Sequence, residues 1–487
     1  MAEAAQDQQN SGQEKTVETD LPHRLDRLPW SRWHVRILVA LSTSWLLDGL
    51  QVTLAGSLSG ILQSKQGLGL SESQFTFTAT TYLIGAVVGA LFFGILTDRF
   101  GRRKLFLITL ATYSIATLGS ALSHGLVSFA ISRFFVGLGV GGEYAAINSA
   151  VDELIPGKVR GTVDLIVNAN FWVGATLGSL ATYGLLHAGG DMRTVGWRWA
   201  FGIGAVLGGG VLLLRLGVPE SPRWLMLRGR EDEANKITTE IEAKASKGNP
   251  DSLPPVEGDK LKLAVSDHTP IREILKNMGG ENRMRSVLSL VLMGAQAFFF
   301  NAVFFTYGLV VKRFYHISDN DLPLHLLPFA LGSFFGPIVL GKLFDKIGRK
   351  PMITATYALT GLLLIGTLVP FGMGVIGPRG LGILFTIIFF VASSASSAAY
   401  LTVSEIFPLE IRAFAIALFY AIGTLLGGVG APLLFGVLIK TGSHWAVASG
   451  YALGALLMLL GAGFEAKWGV EAAGQSLENV SKPMSSR

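Results

Sequence analysis

Long apolar runs separated by short polar breaks fill this chain, and each run is long enough for a membrane helix. A bilayer-spanning helix needs about 20 predominantly apolar residues. Such runs are expected over residues 36–58, 75–96, 105–122, 126–150, 162–186 and 199–218. After a charged interval they recur over 287–311, 326–343, 352–373, 381–403, 413–439 and 447–464. The pattern therefore predicts an all-α membrane protein with twelve transmembrane helices in two six-helix bundles, 36–218 and 287–464. A polar N-terminal tail (1–35), a connector (219–286) and a C-terminal tail (465–487) flank and join them. Within the connector, the stretch from Arg228 to Lys247 reads as a polar helix, and Pro254-Pro255 keeps the helix from continuing.

Composition supports the same class. Half of the 487 residues are hydrophobic and 15% are charged, against about 25% charge in soluble domains, and the mean hydropathy is +0.47. The net charge of +6 does not point to nucleic acid, because Lys and Arg gather in alternate loops instead of on one basic, aromatic-interleaved face. Arg99, Arg102, Arg103, Lys104, Lys158, Arg160, Lys342, Lys346, Arg349, Lys350 and Arg412 fall in loops on one side, which the positive-inside rule makes cytoplasmic. Both termini are then expected in the cytoplasm of a multi-pass protein of the cell membrane, and the polar start lacks the charged-then-apolar pattern of a cleaved signal. Cysteine is absent, which excludes disulfides, thiolate metal sites and thiol nucleophiles. With no metal-spaced His cluster and no nucleophile elbow, neither a cofactor nor an enzyme activity is expected.

Two motifs occur twice. GILTDRFGRRK begins at Gly94 and GKLFDKIGRK at Gly341. Each joins two apolar runs through an acid (Asp98, Asp345), a Gly and an Arg (Arg102, Arg349). Gly supplies the backbone freedom of a tight reversal, and the acid can pair with the Arg or cap a helix start. DELIPGKVRG from Asp152 is echoed by SEIFPLEIRA from Ser404, so Glu153, Pro156 and Arg160 recur as Glu405, Pro408 and Arg412. Two motif pairs in matching order imply an internal duplication, the sign of a repeat-built transporter.

At these residues the chain resembles the major facilitator superfamily, whose loop signature G-x-L-x-D-R-x-G-R-R-K lies between its second and third helices. VPESPRWL (218–225), EAAGQSLE (471–478) and RFFVGLGVGGE (133–143) resemble motifs of the sugar-porter-like branch and its organic-metabolite relatives. The resemblance implies a secondary transporter that moves a small polar metabolite, sugar-like, polyol or organic acid, by alternating access with proton symport. A facilitative uniporter and a transporter-fold nutrient sensor are the alternatives. It also implies a monomer in the lipid bilayer, and a cytoplasmic gate in which Asp98, Arg102, Glu153, Arg160, Glu220, Asp345, Arg349, Glu405 and Arg412 pair across the halves. The chain departs from the sugar pattern in helix 1, where Gly49-Leu50-Gln51 replaces Gly-Tyr-Asp. Asp48-Gly49 resembles instead the start of D-G-x-D in organic-metabolite symporters. Tyr400 stands where sugar porters carry Trp, and Asn168 where they usually carry Gln.

Ionisable side chains inside a span cost about 2.5 to 3.5 kcal/mol each on insertion scales and mark function. Asp48, Arg133 and Glu143 are the candidates for proton coupling, with neutralisation of a loop Arg near the cytoplasmic side as the alternative for Glu143. Asp48 is expected to pair with Arg133, since a carboxylate that alternately pairs and protonates can carry a proton; a static ion pair between helices 1 and 4 is the alternative. For substrate the candidates are Gln51, Asn168, Gln296, Asn301 and Tyr400, whose amides and hydroxyl suit a polar ligand. Packing between helices is the alternative for Gln296 and Asn301. Three look-alikes fall away. GPIVLGK (336–342) lacks the Ser or Thr of a phosphate loop, Gly137, Gly139 and Gly142 have the small-residue spacing of packed membrane helices, and the Asn479-Val480-Ser481 glycosylation triplet lies on the expected cytoplasmic side.

Overall fold

The computed structural model describes residues 16–187, 192–256, 258, 260–265, 269–318 and 321–484. The first fifteen residues of the N-terminal tail and the last three of the C-terminal tail lie outside them.

Twelve helices among the described residues are long and apolar enough to cross a membrane. They are α1 (Arg32–Ser57), α2 (Glu72–Phe100), α3 (Arg102–Ala121), α4 (Leu126–Leu154), α5 (Arg160–His187) and α6 (Met192–Arg215). The second half supplies α7 (Arg283–Tyr315), α8 (Leu322–Lys346), α9 (Arg349–Gly372), α10 (Pro378–Ile406), α11 (Arg412–Lys440) and α12 (His444–Trp468). Several outrun their apolar cores. The α2 helix starts early because Ser71 and Gln74 form a capping box, the Gln74 backbone N–H donating to Ser71 Oγ at 3.2 Å. It stops at Gly101, where φ is 94°. Gly348, which follows the α8 C-cap Ile347 and precedes α9, has φ of 120°, so both copies of the repeated turn rest on a glycine in a conformation other residues avoid.

Helix α11 is not uniform. Thr424–Gly430, TLLGGVG, forms a π-helical stretch between two α-helical parts. Gly427 lies hard against the Ala297 backbone of α7 there, so the widened turn lets two helices approach where a side chain would separate them. Such π segments concentrate at functional sites.

Helices α4, α5, α10 and α11 build the inner ends. Every residue of α4 from Gly139 to Leu154 is buried. Across the halves, α5 packs on α8 and α10, and α11 packs on α2 and α4. The connector carries the expected polar helix (Glu231–Ala245) and a short strand β2 (Leu261–Ala264). Strand β2 pairs antiparallel with β1 (Thr16–Thr19) of the N-terminal tail, Thr16 opposite Ala264. The tail is thereby tied to the connector.

Candidate functional site

Asp48 sits in mid α1, almost fully buried. The Tyr82 hydroxyl of α2 donates to its Oδ1 at 3.1 Å, and the Tyr144 hydroxyl of α4 donates to its Oδ2. Two hydroxyl donors satisfy the carboxylate without a neighbouring cation. The expected Asp48–Arg133 ion pair is not made, because the Tyr82 ring stands between them. The Arg133 guanidinium lies over that ring, 4.6 Å from its centroid, and its Nη1 has no hydrogen-bond partner. Tyr82 thus links cation and carboxylate through one side chain, ring face to one and hydroxyl to the other.

Glu143 belongs elsewhere. It accepts from Ser44 at 2.7 Å and lies 3.5 Å from Arg215 at the end of α6. Arg215 also donates to Ala40 O and Ser44 and stacks on Phe106. That is the geometry of a fixed pair joining α1, α4 and α6.

Around Asp48 the wall is aromatic and is shared by both halves. Tyr144 stacks with Tyr420 at 4.3 Å and with Tyr400 at 6.1 Å, while Trp45 meets Tyr144 edge-on at 4.4 Å and Tyr400 at 5.7 Å. Gln296 Oε1 accepts from Ser396 of α10 at 2.7 Å, and the Gln296 amide also reaches Tyr400. Above this lies a second cluster in which Trp172 of α5 contacts Phe300 and Phe304 of α7 and Phe389 of α10.

The other amide candidates point differently. Gln51, three residues after Asp48, is rotated away from the tyrosines. It is fully buried with its amide against Gly204 of α6, and neither amide atom has a hydrogen-bond partner. Asn301 donates back to Ala297 O of its own helix at 2.7 Å. Asn168 donates to Asp164 Oδ2 at 3.1 Å and to Asn148 at 3.4 Å, one turn inward of Trp172.

At the helix ends that carry the repeated turns the duplicated motifs make duplicated clusters. In the first half Arg102 pairs with Glu153 at 2.7 Å and with Asp98 at 3.4 Å; in the second, Arg349 pairs with Glu405 at 3.0 Å and with Asp345 at 2.8 Å. Among the contacts by which the halves meet here are these. Asp98 accepts from the Phe414 backbone N–H at 3.0 Å, and Asp345 accepts from Gly161 N and Thr162 N at 3.1 and 2.8 Å. Arg160 lies 3.8 Å from Glu405, and Arg412 lies 3.9 Å from Glu153. Each Asp thus reads the N-terminus of a helix in the opposite half, where the dipole favours negative charge.

Glu220 does not cross the halves as expected. It accepts from the backbone N–H groups of Arg102 and Ser221 at 2.8 and 3.0 Å and so caps α3 within its own half. Burial pushes its carboxyl above the ordinary range despite those donors. Glu471 does the same for α9, accepting from Arg349 N at 2.7 Å. It is a second-half counterpart that the resemblance at EAAGQSLE did not single out.

Further functional groups were missed in the sequence. Arg223 donates to the carbonyls of Asp152 and Glu153 and pairs with Asp26 of the N-terminal tail and Glu478 of the C-terminal tail at 3.2 and 3.1 Å. Its signal was the PESPR motif, read there only as a family mark. Asp152 and Asp164 are fully buried on α4 and α5. The sign for Asp164 was an acid inside the expected span 162–186.

A family model described as sugar (and other) transporter matches residues 11–483. The chain belongs to this family. Among curated relatives, a niacin transporter of Acinetobacter baylyi is 27% identical over 95% of this chain and 99% of its own length. An arabinose-proton symporter of Bacillus subtilis is 27% identical over 78% of this chain and 80% of its own. The solved structure of the major facilitator proton:xylose symporter XylE, bound to 6-bromo-6-deoxy-D-glucose, matches with a TM-score of 0.74 at 23% identity, covering 92% of this chain and 98% of that one. This sugar-porter family member is a multi-pass membrane transporter with the major facilitator fold, and its relatives are transporters, not enzymes.

Proposed function

We propose that this transporter is a proton symporter for a small, ring-bearing polar metabolite, with Asp48 as the proton carrier and Tyr82 and Arg133 as the groups that sense its charge. The observation that carries the reading is the setting of Asp48, a buried carboxyl held by two hydroxyls and facing no cation at ion-pair distance. Protonation there removes a costly buried charge, and the Tyr82 link lets Arg133 respond to it. The wall of Trp45, Tyr144, Tyr400 and Tyr420 offers flat apolar faces to a ring, and Gln296 offers a donor and an acceptor to its polar edge. The relatives named for niacin and for arabinose both concern ring-forming molecules of this size. A cell-membrane location with both termini inside accords with the basic inner loops.

The test is uptake in proteoliposomes, with and without an inside-alkaline gradient, over labelled pentoses, hexoses, polyols and pyridine carboxylates. The expected result is gradient-driven accumulation of one of these classes, lost in Asp48→Asn while exchange is kept. Indifference of the wild type to the gradient would make the protein a uniporter, and full accumulation by Asp48→Asn would remove this residue as the carrier.

A further inference from the structure

Between the central site and the inner gate lies a polar cluster that neither the gate nor the Asp48 site uses. Asn148 and Asp152 stand one turn apart on α4, and Asp164 and Asn168 one turn apart on α5. Three of the four are fully buried and Asn168 is 6% exposed. Asn168 donates to Asp164 Oδ2 and to Asn148, and Asn148 spends its own N–H on Tyr144 O. Tyr144 is the residue that holds Asp48. The cluster therefore begins one turn cytoplasmic of the central carboxylate.

Its hydrogen-bond account does not close. Asp152 Oδ1 and Oδ2, Asp164 Oδ1 and Asn168 Oδ1 are all acceptors, all buried and all without a hydrogen-bond partner. Asp164 is faced by Asp152 from α4, Glu405 from α10 and Arg349 from α9; Asp152 is faced by Arg160 from α5, Glu405 and Ser404 from α10 and Arg412 from α11. From α8, Asp345 lies on the neighbouring Gly161 and Thr162. Arg349 is engaged by Glu405 and Asp345, whereas Arg160 Nε and Arg412 Nε and Nη1, on the Asp152 side of the cluster, are buried donors without a hydrogen-bond partner. Ser404 donates to Leu401 O. Asp152 thus faces spare donors, while Asp164 Oδ1 faces none, and a buried acceptor left bare costs about 1 to 3 kcal/mol.

We propose that Asp164 holds a proton at the α4–α5 interface, a second proton-binding site separate from Asp48. A hydrogen on Asp164 Oδ1 supplies the missing donor and removes one buried negative charge from a group crowded by Asp152 and Glu405. The site is sealed while α9 and α10 lie against it. When the inner ends part, Glu405 and Arg349 withdraw with the second half and water reaches Asp164, so the proton exchanges with the cytoplasm in the inward-open state.

The experiment is infrared spectroscopy of the full-length protein in lipid nanodiscs during a pH titration, reading the carbonyl band of protonated carboxyl groups. No substrate is needed, so the outcome is independent of whether transport is symport. The expected result is a band in the wild type that is retained in Asp48→Asn and Asp152→Asn and lost in Asp164→Asn, each of which preserves side-chain shape and is checked for an unchanged melting temperature. A band unaltered by Asp164→Asn, or lost in Asp152→Asn alone, overturns the proposal. A band that disappears on adding Na⁺ at constant pH also overturns it, making the site one for a monovalent cation.

Discussion

Asp345 accepts a hydrogen bond from the Thr162 backbone N–H at 2.8 Å across 183 positions of sequence, and the same residue is paired with Arg349 at 2.8 Å. One carboxylate therefore fixes the turn of its own half and docks the α5 N-terminus of the other. Asp98 repeats the arrangement with Arg102 and Phe414. Separating these helix ends must break both cross-half bonds together, along with the Arg160–Glu405 and Arg412–Glu153 contacts, so their closure is held by a cooperative set.

Glu153 is the member whose loss should show most. It is fully buried between Arg102 and Arg412 and also accepts from Ser149 at 2.7 Å. Removing one partner of a buried pair costs about 3 to 5 kcal/mol. Part of that cost is relieved when the halves separate and water reaches the arginines, so Glu153→Gln favours the inward-open state. A differential of about 1.4 kcal/mol is tenfold in population. Single cysteines placed at the inner ends of α5 and α11 in this natively Cys-free chain should label at least several-fold faster in the variant; equal labelling rates would mean that Glu153 does not hold the gate.

Much of this charge cluster was legible because it depends on local chemistry. Asp-x-x-Gly-Arg marks a turn by itself, and a second copy marks its counterpart. The partners were less legible. Glu220 was expected across the halves because its charge was visible and its direction was not, whereas the structure spends it on the N–H groups at the start of α3. Around Asp48 the acid stood out as an expensive charge in an apolar run, but Tyr82 and Tyr144 carry no such signal, since tyrosines in membrane helices are common packing residues. Gln51 failed through rotation: three residues along a helix of 3.6 per turn turn a side chain onto a neighbouring face, here against Gly204. Which face looks at the other half is a tertiary fact that no spacing within one helix contains.

Tyr82→Phe should separate the two functions of the Tyr82 side chain. The ring stays beneath Arg133, while the hydroxyl bond to Asp48 is lost. A single hydrogen bond contributes about 0.5 to 1.5 kcal/mol, so gradient-driven uptake in proteoliposomes should fall by up to about tenfold, with substrate exchange kept. Unchanged driven uptake would show that Asp48 does not depend on this donor and that Arg133 is not linked to it through Tyr82.

Gln296 joins α7 to Ser396 and Tyr400 of α10 at the wall of the central site. Its amide can exchange those partners for the polar edge of a ligand. Gln296→Ala should weaken binding of the identified substrate by up to about tenfold, measured by isothermal calorimetry on protein of unchanged melting temperature. Asn301→Ala should leave affinity nearly unaltered, because that amide is already committed to Ala297 O. Equal losses from both substitutions would show that Asn301 turns toward substrate when the site fills.

The N-terminal tail supplies the last prediction, which concerns pH. Arg24 and Arg27 bond Glu242 of the connector helix at 2.6 and 2.7 Å, beside the β1–β2 pairing. Burial pushes the Glu242 carboxyl upward, but the hydrogen bonds and charges of Arg24 and Arg27 outweigh it and hold the group below its ordinary 4.5. A carboxyl depressed in the docked state stabilises docking fully above its free value, and that contribution is lost as pH falls through the docked one. The tail should therefore stay docked through neutral and mildly acidic pH and loosen only below about 4.5. Spin labels at Thr16→Cys and Ala243→Cys should report one short distance near neutrality and a broad, longer distribution in acid, with Glu242→Gln giving the broad distribution at every pH. A short distance that survives in Glu242→Gln would assign the docking to the β1–β2 strand pairing alone.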